Sequence, residues 1–135
     1  MLAAQGCRVQ TVVCAEAGMD TMTGNLLAEE IVLSQKPDLV FLEFAINETT
    51  LPQSVLSFES LLRKLLTAER QPIVCLLLMR SMNGYSCESF MLPIAEHYGL
   101  PCISVSWGFR SAAELKAAGA ECIADTPEAL EELLL

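Results

Sequence analysis

The stretch Lys36-Pro37-Asp38-Leu39-Val40-Phe41-Leu42-Glu43-Phe44-Ala45-Ile46-Asn47-Glu48 constrains this chain more than any other segment. Pro37 and Asp38 punctuate a turn, and the apolar run over 39–46 is too short for a membrane span and rich in β-forming residues. It reads as a central strand that stops abruptly at a polar pair, Asn47-Glu48. In an open parallel sheet, ligands bind outside the carboxyl ends of strands, so position alone makes Asn47 a candidate site residue.

The rest of the chain alternates around that strand. Further strands are predicted over 8–15, 72–79, 101–106 and 121–124, with 39–45 as the one already described. Helices are predicted over 23–34, 54–68, 87–98, 111–118 and 127–134. Strand then helix, repeated, gives an α/β fold: a three-layer αβα arrangement with a parallel, flavodoxin-like or Rossmann-like sheet of about five strands. Two boundaries are sharply marked. Thr126 before Pro127 reads as an N-cap with proline at the first helical position, and Gly99 after His97-Tyr98 reads as a helix stop.

Composition bounds the function. A chain of 135 residues that is 53% hydrophobic is expected to be one soluble domain, residues 1–135, large enough to bury a core. Its mean hydropathy is +0.43, but no apolar run approaches the ~20 residues of a spanning helix, so no membrane partner is expected. No basic stretch followed by an apolar core and a small-residue cleavage site opens the sequence, which points to the cytoplasm. A net charge of -9 and a pI near 4.4 disfavour nucleic acid as a partner. Much of that acid falls on solvated helix faces such as Glu128, Glu131 and Glu132. The six cysteines, Cys7, Cys14, Cys75, Cys87, Cys102 and Cys122, show no C-x-x-C spacing and no nearby histidine. They read as structural thiols, with no metal and no cofactor expected.

Three segments carry a family resemblance. Pro37-Asp38-Leu39-Val40 with Glu43-Phe44-Ala45-Ile46-Asn47-Glu48 resembles the third block of SGNH (GDSL) hydrolases, "PDLVxxEFAxND", with Glu48 in place of Asp. Ala17-Gly18-Met19 resembles the second block, "NAGxxG", with Glu16 and Asp20 at the positions of its Asn and second Gly. Phe58 to Leu66, the strand over 72–79, Asn83-Gly84 and Ile94 to Pro101 resemble the later part of that domain, so the likeness runs over roughly 1–104. It implies an ester or acetyl-ester substrate of small size, with the Asn47 side chain and the Gly18 backbone N–H as oxyanion-hole donors.

The departures fall on the chemistry. No Gly-Asp-Ser occurs, and the family's Asp-x-x-His block is absent: Pro93 stands four residues before His97, the only histidine, and Ile94 three before it. A serine hydrolase needs both a base within reach of its hydroxyl and an oxyanion site. The chain is therefore expected to be inactive alone. The tail, Val105-Ser106-Trp107-Gly108-Phe109-Arg110-Ser111 through Ile123-Ala124-Asp125-Thr126-Pro127, resembles the end of haloacid-dehalogenase-like phosphatases of the phosphoglycolate phosphatase type. It covers 105–135 and lacks that family's "DxDGT" nucleophile and Mg²⁺-binding acidic pair. Two alternatives stay open: a fragment derived from such a phosphatase, or a non-catalytic, recombined α/β domain.

Each candidate residue has a structural alternative. Asn47 can donate to an oxyanion or cap the turn Asn-Glu-Thr-Thr through its side chain. Gly18 can offer its N–H or supply a positive φ. His97 can serve as a base or meet a helix C-terminal dipole. Met79, Met82 and Met91 with Phe90 and Leu92 suit packing, and Trp107 to Arg110 suits either a pocket wall or a closing loop. Ser81, Ser86 and Ser104 lack a Gly-x-Ser-x-Gly elbow. In the SGNH arrangement the Gly-Asp-Ser strand lies between those over 8–15 and 39–45 and has no counterpart here. Either the two pair directly, which brings Gly18 towards Asn47, or a slot stays open with unpaired backbone that offers a route to self-association.

Overall fold

The computed structural model describes residues 6, 8–108 and 110–134, so Cys7 and Phe109 lie outside the described residues. The chain divides into two compact units, Met1–Met91 and Leu92–Leu135.

The first unit opens with α1, Thr21–Leu27, whose axis continues as a π-helical turn, Ala28–Val32, and a 3₁₀ turn, Leu33–Gln35. The helix predicted over 23–34 is thus present, but it is wound three ways. Lys36 closes it in the left-handed region at φ 52°. Strand β1, Leu39–Leu42, pairs in parallel with β2, Ile73–Leu76, with Leu39 opposite Ile73 and Leu42 opposite Leu76. Between them runs α2, Pro52–Leu66, which starts on proline as a first-turn residue can. Its Phe58, Leu61, Leu62 and Leu65, spaced i, i+3, i+4 and i+7, are all buried. Each such side chain contributes about 1.5–3 kcal/mol. With Val40, Leu42, Phe44 and Met91 they form the core, and Phe58 meets the Phe90 ring edge-on at 6.0 Å.

Val40 and Leu42 point into that core, whereas Phe41 is 63% and Ile73 71% exposed. A strand alternates its faces, so Val40 and Leu42 turn to the core while Leu39, Phe41 and Ile73 on the opposite face stay exposed. Here the structure departs from the predicted architecture. Among the described residues the strands form two two-stranded parallel sheets, β1–β2 and β3–β4, and not one sheet of about five. Residues 8–15 are not a strand, and β1 pairs only with β2, so it stands at an edge and not at the centre. Among the described residues, 8–15 makes no ladder pairing with β1. The physical reason is that a strand is defined by its neighbour. A Val-rich segment without a ladder partner has no inter-strand hydrogen bonds to hold it, and Val9, Val12 and Val13 stay exposed.

The helix α3, Glu88–His97, contains Pro93, whose missing N–H leaves one intrahelical bond unmade. In the second unit α3 ends as expected. Gly99 has φ 76°, its N–H donates to Glu96 O at 2.9 Å, and Leu100 N–H donates to Ala95 O at 3.0 Å, which is a Schellman stop. Strand β3, Ser104–Val105, pairs in parallel with β4, Ile123–Ala124. Between them α4, Ala112–Ala117, is opened by a Ser111–Glu114 capping box. Thr126 Oγ1 accepts Ala129 N–H at 3.1 Å, so it caps α5, Pro127–Leu134, as its position before proline predicts.

Candidate functional site

Strand β1 ends for a local reason. The Glu43 carboxylate accepts the Ala45 N–H at 3.0 Å, and Asn47 N–H then donates to Phe44 O at 3.1 Å, so the chain turns out of the sheet at the carboxyl end of the strand. A cleft of about 240 Å³ opens there, lined by Asp20, Thr21, Asn47, Glu48, Thr49 and Ser54 among others.

Glu48 organises it. The residue is only 5% exposed, and its carboxylate accepts Thr21 N–H at 2.8 Å and Thr49 N–H at 2.9 Å. The Thr21 hydroxyl donates to the same oxygen that takes the Thr21 N–H. Burial pushes the Glu48 pKa up, but hydrogen bonds from Thr21, Ser54 and the backbone of Thr49 outweigh it and hold the group below its ordinary value. A carboxylate 27 residues downstream therefore satisfies an orphan N–H of the first turn of α1, while Asp20, the local N-cap, accepts Thr23 N–H at 2.8 Å. That bond with Thr23 lowers the Asp20 pKa. The Thr49 and Ser54 hydroxyls bond at 2.8 Å and close the loop into α2.

Asn47 lies beside this hub, exposed and on the cleft wall. Among the described residues no hydrogen bond to its side chain is made; the turn N–H that it was placed to cap is taken by Glu48 instead. Gly18 sits in a turn before α1 with φ 74°, open space where a Cβ would stand, and Met19 N–H donating to Glu16 O at 3.2 Å. It precedes Asp20 on the approach to the cleft and is not among the residues lining it. His97 belongs to the second unit, exposed at the end of α3 with its ring edge-on to Tyr98 at 5.1 Å.

Two further groups bear on the chemistry. The Cys87 thiol is buried, with Sγ 3.3 Å from Glu48 O and 3.3 Å from the Tyr85 hydroxyl. Burial pushes the Cys75 thiol up, and burial with Glu96 and Cys122 does the same to Cys102, so neither is poised as a thiolate nucleophile. A larger groove of about 790 Å³ runs past the opposite ends of β1 and β2, beside Lys36, Lys64 and Arg70. Lys64 Nζ is bonded to Asn25 O at 2.6 Å and Arg70 to Asp38 at 3.1 Å. Among the described residues no group of three or more His, Cys, Asp or Glu side chains is arranged to hold a metal ion.

Sequence reasoning located Asn47 at a strand end and noted Glu48 as a departure from a family pattern. It did not anticipate that Glu48 is buried and bonds across to α1. It also passed over Tyr85, whose only signal was the turn-forming Asn83-Gly84 before it.

No protein-family model and no curated protein matches the sequence. Solved structures do. The crystal structure of a two-domain esterase (CEX) active on acetylated mannans is 32% identical, with a TM-score of 0.59, over 62% of this chain and 23% of that one. The same esterase co-crystallised with mannopentaose is 33% identical, with a TM-score of 0.60, over the same shares. This chain thus spans less than a quarter of the length of the structures it matches. Those matches lend no support to the phosphatase-like reading of the tail. Over 62% of its length the chain is esterase-like, in an α/β arrangement of small parallel sheets.

Proposed function

We propose that this chain is a partial SGNH-type esterase domain that offers the oxyanion side of an acetyl-ester site without a nucleophile of its own. The observation that carries the reading is the likeness, at 32% identity, to an esterase active on acetylated mannans. The position of Asn47 supports it: an amide at the carboxyl end of β1, on the wall of a cleft, with no hydrogen bond to its side chain among the described residues. The substrate class follows from the same likeness: an O-acetyl ester of a carbohydrate, with its carbonyl directed at Asn47.

The chemistry available is electrostatic. An amide N–H₂ aimed at the carbonyl oxygen stabilises the charge that grows there when a nucleophile attacks, and one such donor accounts for roughly 10²–10³ in rate in a complete enzyme. By the family resemblance Gly18 is the second donor, although it stands on the approach to the cleft and outside the residues that line it. The attack itself needs an activated hydroxyl and a base, and the 135 residues contain neither Gly-Asp-Ser nor Asp-x-x-His. The chain alone therefore binds and does not turn over. Intact-mass spectrometry after exposure to a fluorophosphonate tests this, with heat-denatured protein as control. No adduct is expected; stoichiometric labelling of the native chain alone refutes the loss of catalysis and identifies the serine by peptide mapping.

A further inference from the structure

Tyr85 stands next to the candidate site and is held there. Its hydroxyl donates to the backbone carbonyl of Glu48, the residue after Asn47, and a hydrogen bond with Cys87, burial and the nearby Cys87 and Glu48 charges all keep the phenol protonated. The loop that carries it is bonded to itself. Ser81 N–H donates to Tyr85 O at 2.9 Å and Gly84 N–H to Ser81 O at 2.8 Å, while Tyr85 N–H donates to Asn83 Oδ1 at 3.0 Å. Arg80 fastens this loop to the start of α3, pairing with Glu88 and donating to Gly84 O at 2.8 Å. Despite these ties Tyr85 is 42% exposed. Core burial does not explain a ring positioned in this way: its hydroxyl is anchored to the backbone of Glu48, a cleft residue, while the ring itself stays open to solvent outside the cleft lining.

We infer that Tyr85 is a substrate-positioning residue, its ring the platform on which the sugar bearing the acetyl group rests while the ester carbonyl meets Asn47. The inference rests on the carbohydrate-ester reading given above. Ligand sites pair apolar or aromatic walls with a few fixed polar groups, and the C–H face of a pyranose ring suits an aromatic surface. Tyrosine supplies large, rigid contact area at small entropic cost. The anchor on Glu48 O reduces that cost further, because the ring is already fixed before the ligand arrives.

The test is an NMR titration of the 135-residue chain with O-acetylated mannopentaose, in wild type and in Tyr85→Phe and Tyr85→Leu. Leucine keeps apolar volume, and unchanged amide shifts away from 80–88 establish that each variant is folded. The expected result is binding by wild type, weakening of roughly tenfold in Tyr85→Leu, and retention within about threefold in Tyr85→Phe, which keeps the ring and loses only the anchor. Equal weakening in both variants assigns Tyr85 to holding the loop and overturns the platform. Equal binding by all three overturns it as well, and leaves the ester reading standing. No binding by wild type overturns that reading and the inference together.

Discussion

Replacing Gly24 with alanine sets two opposing effects against each other, and the structure decides the sign. Gly24 lies within α1, where alanine is favoured over glycine by about 1 kcal/mol in helix propensity. A Cβ at this position would sit 2.7 Å from Phe44 Cζ and 3.3 Å from Cε1. The first contact is shorter than carbon atoms tolerate and the second is tight, and the ring is buried within the core, so it cannot swing into solvent. Forcing a methyl group into a packed interior costs about 1–3 kcal/mol. The clash prevails, and Gly24→Ala is expected to destabilise the protein by about 1 kcal/mol net. The control is Phe44→Leu, which removes the obstructing atoms. On that background Gly24→Ala is expected to stabilise by about 1 kcal/mol, giving a coupling of about 2 kcal/mol between the two sites in a double-mutant cycle. Urea denaturation of the four proteins measures it. A stabilising Gly24→Ala in the wild-type background refutes the close approach of α1 to the end of β1. It would also undo the account of how the Asn47 turn is set against α1.

Two further outcomes follow from the site and from the ends of its helices. Glu48 has a folded pKa below its ordinary value, so its contribution is fully present above that ordinary value and is lost as pH falls through the lower folded one. Glu48→Gln is expected to cost about 1–3 kcal/mol at neutral pH, because an amide N–H₂ then faces donors it cannot accept from. It should also flatten the acid limb of a stability-versus-pH curve, and an unchanged limb in chemical denaturation would show that the carboxylate is not held as described. Gln71, at φ 44°, occupies a conformation that side chains other than glycine adopt at a cost of about 1–2 kcal/mol. After the greater freedom of glycine in the unfolded chain is subtracted, Gln71→Gly should raise stability by about 0.5–1 kcal/mol; a fall in thermal midpoint would contradict it.

What was legible in the sequence is what depends on local pattern. The stripe of Phe58, Leu61, Leu62 and Leu65, the Thr126-Pro127 start and the Gly99 stop are written in spacing and residue type, and all three stand in the structure. Residues 8–15 show the limit. Their β-branched residues Val9, Thr11, Val12 and Val13 suit a strand, but a strand needs a partner edge, and pairing is not a property of one segment. The π-helical turn at Ala28–Val32 was hidden for another reason: it shifts the register by a single residue within an otherwise helical pattern. In the site, Asn47 was visible as the polar residue ending an apolar run. Glu48 was not visible as its organiser, because only tertiary structure brings Thr21 and Thr49 to one carboxylate.

The bond from Thr21 to Glu48 also governs the order in which this unit can assemble. With only seven residues in its α-helical part, α1 is far below the length at which a helix holds itself in water. Its first turn is completed only when a residue 27 positions later has folded back onto it, after β1 has been laid down and as α2 begins. Loop closure must therefore precede lasting helix formation at this end of the chain, not follow it. The start of α1, the Asn47 turn and the entry to α2 accordingly form and dissolve as one cooperative element, so the cleft they frame has no folded existence apart from all three.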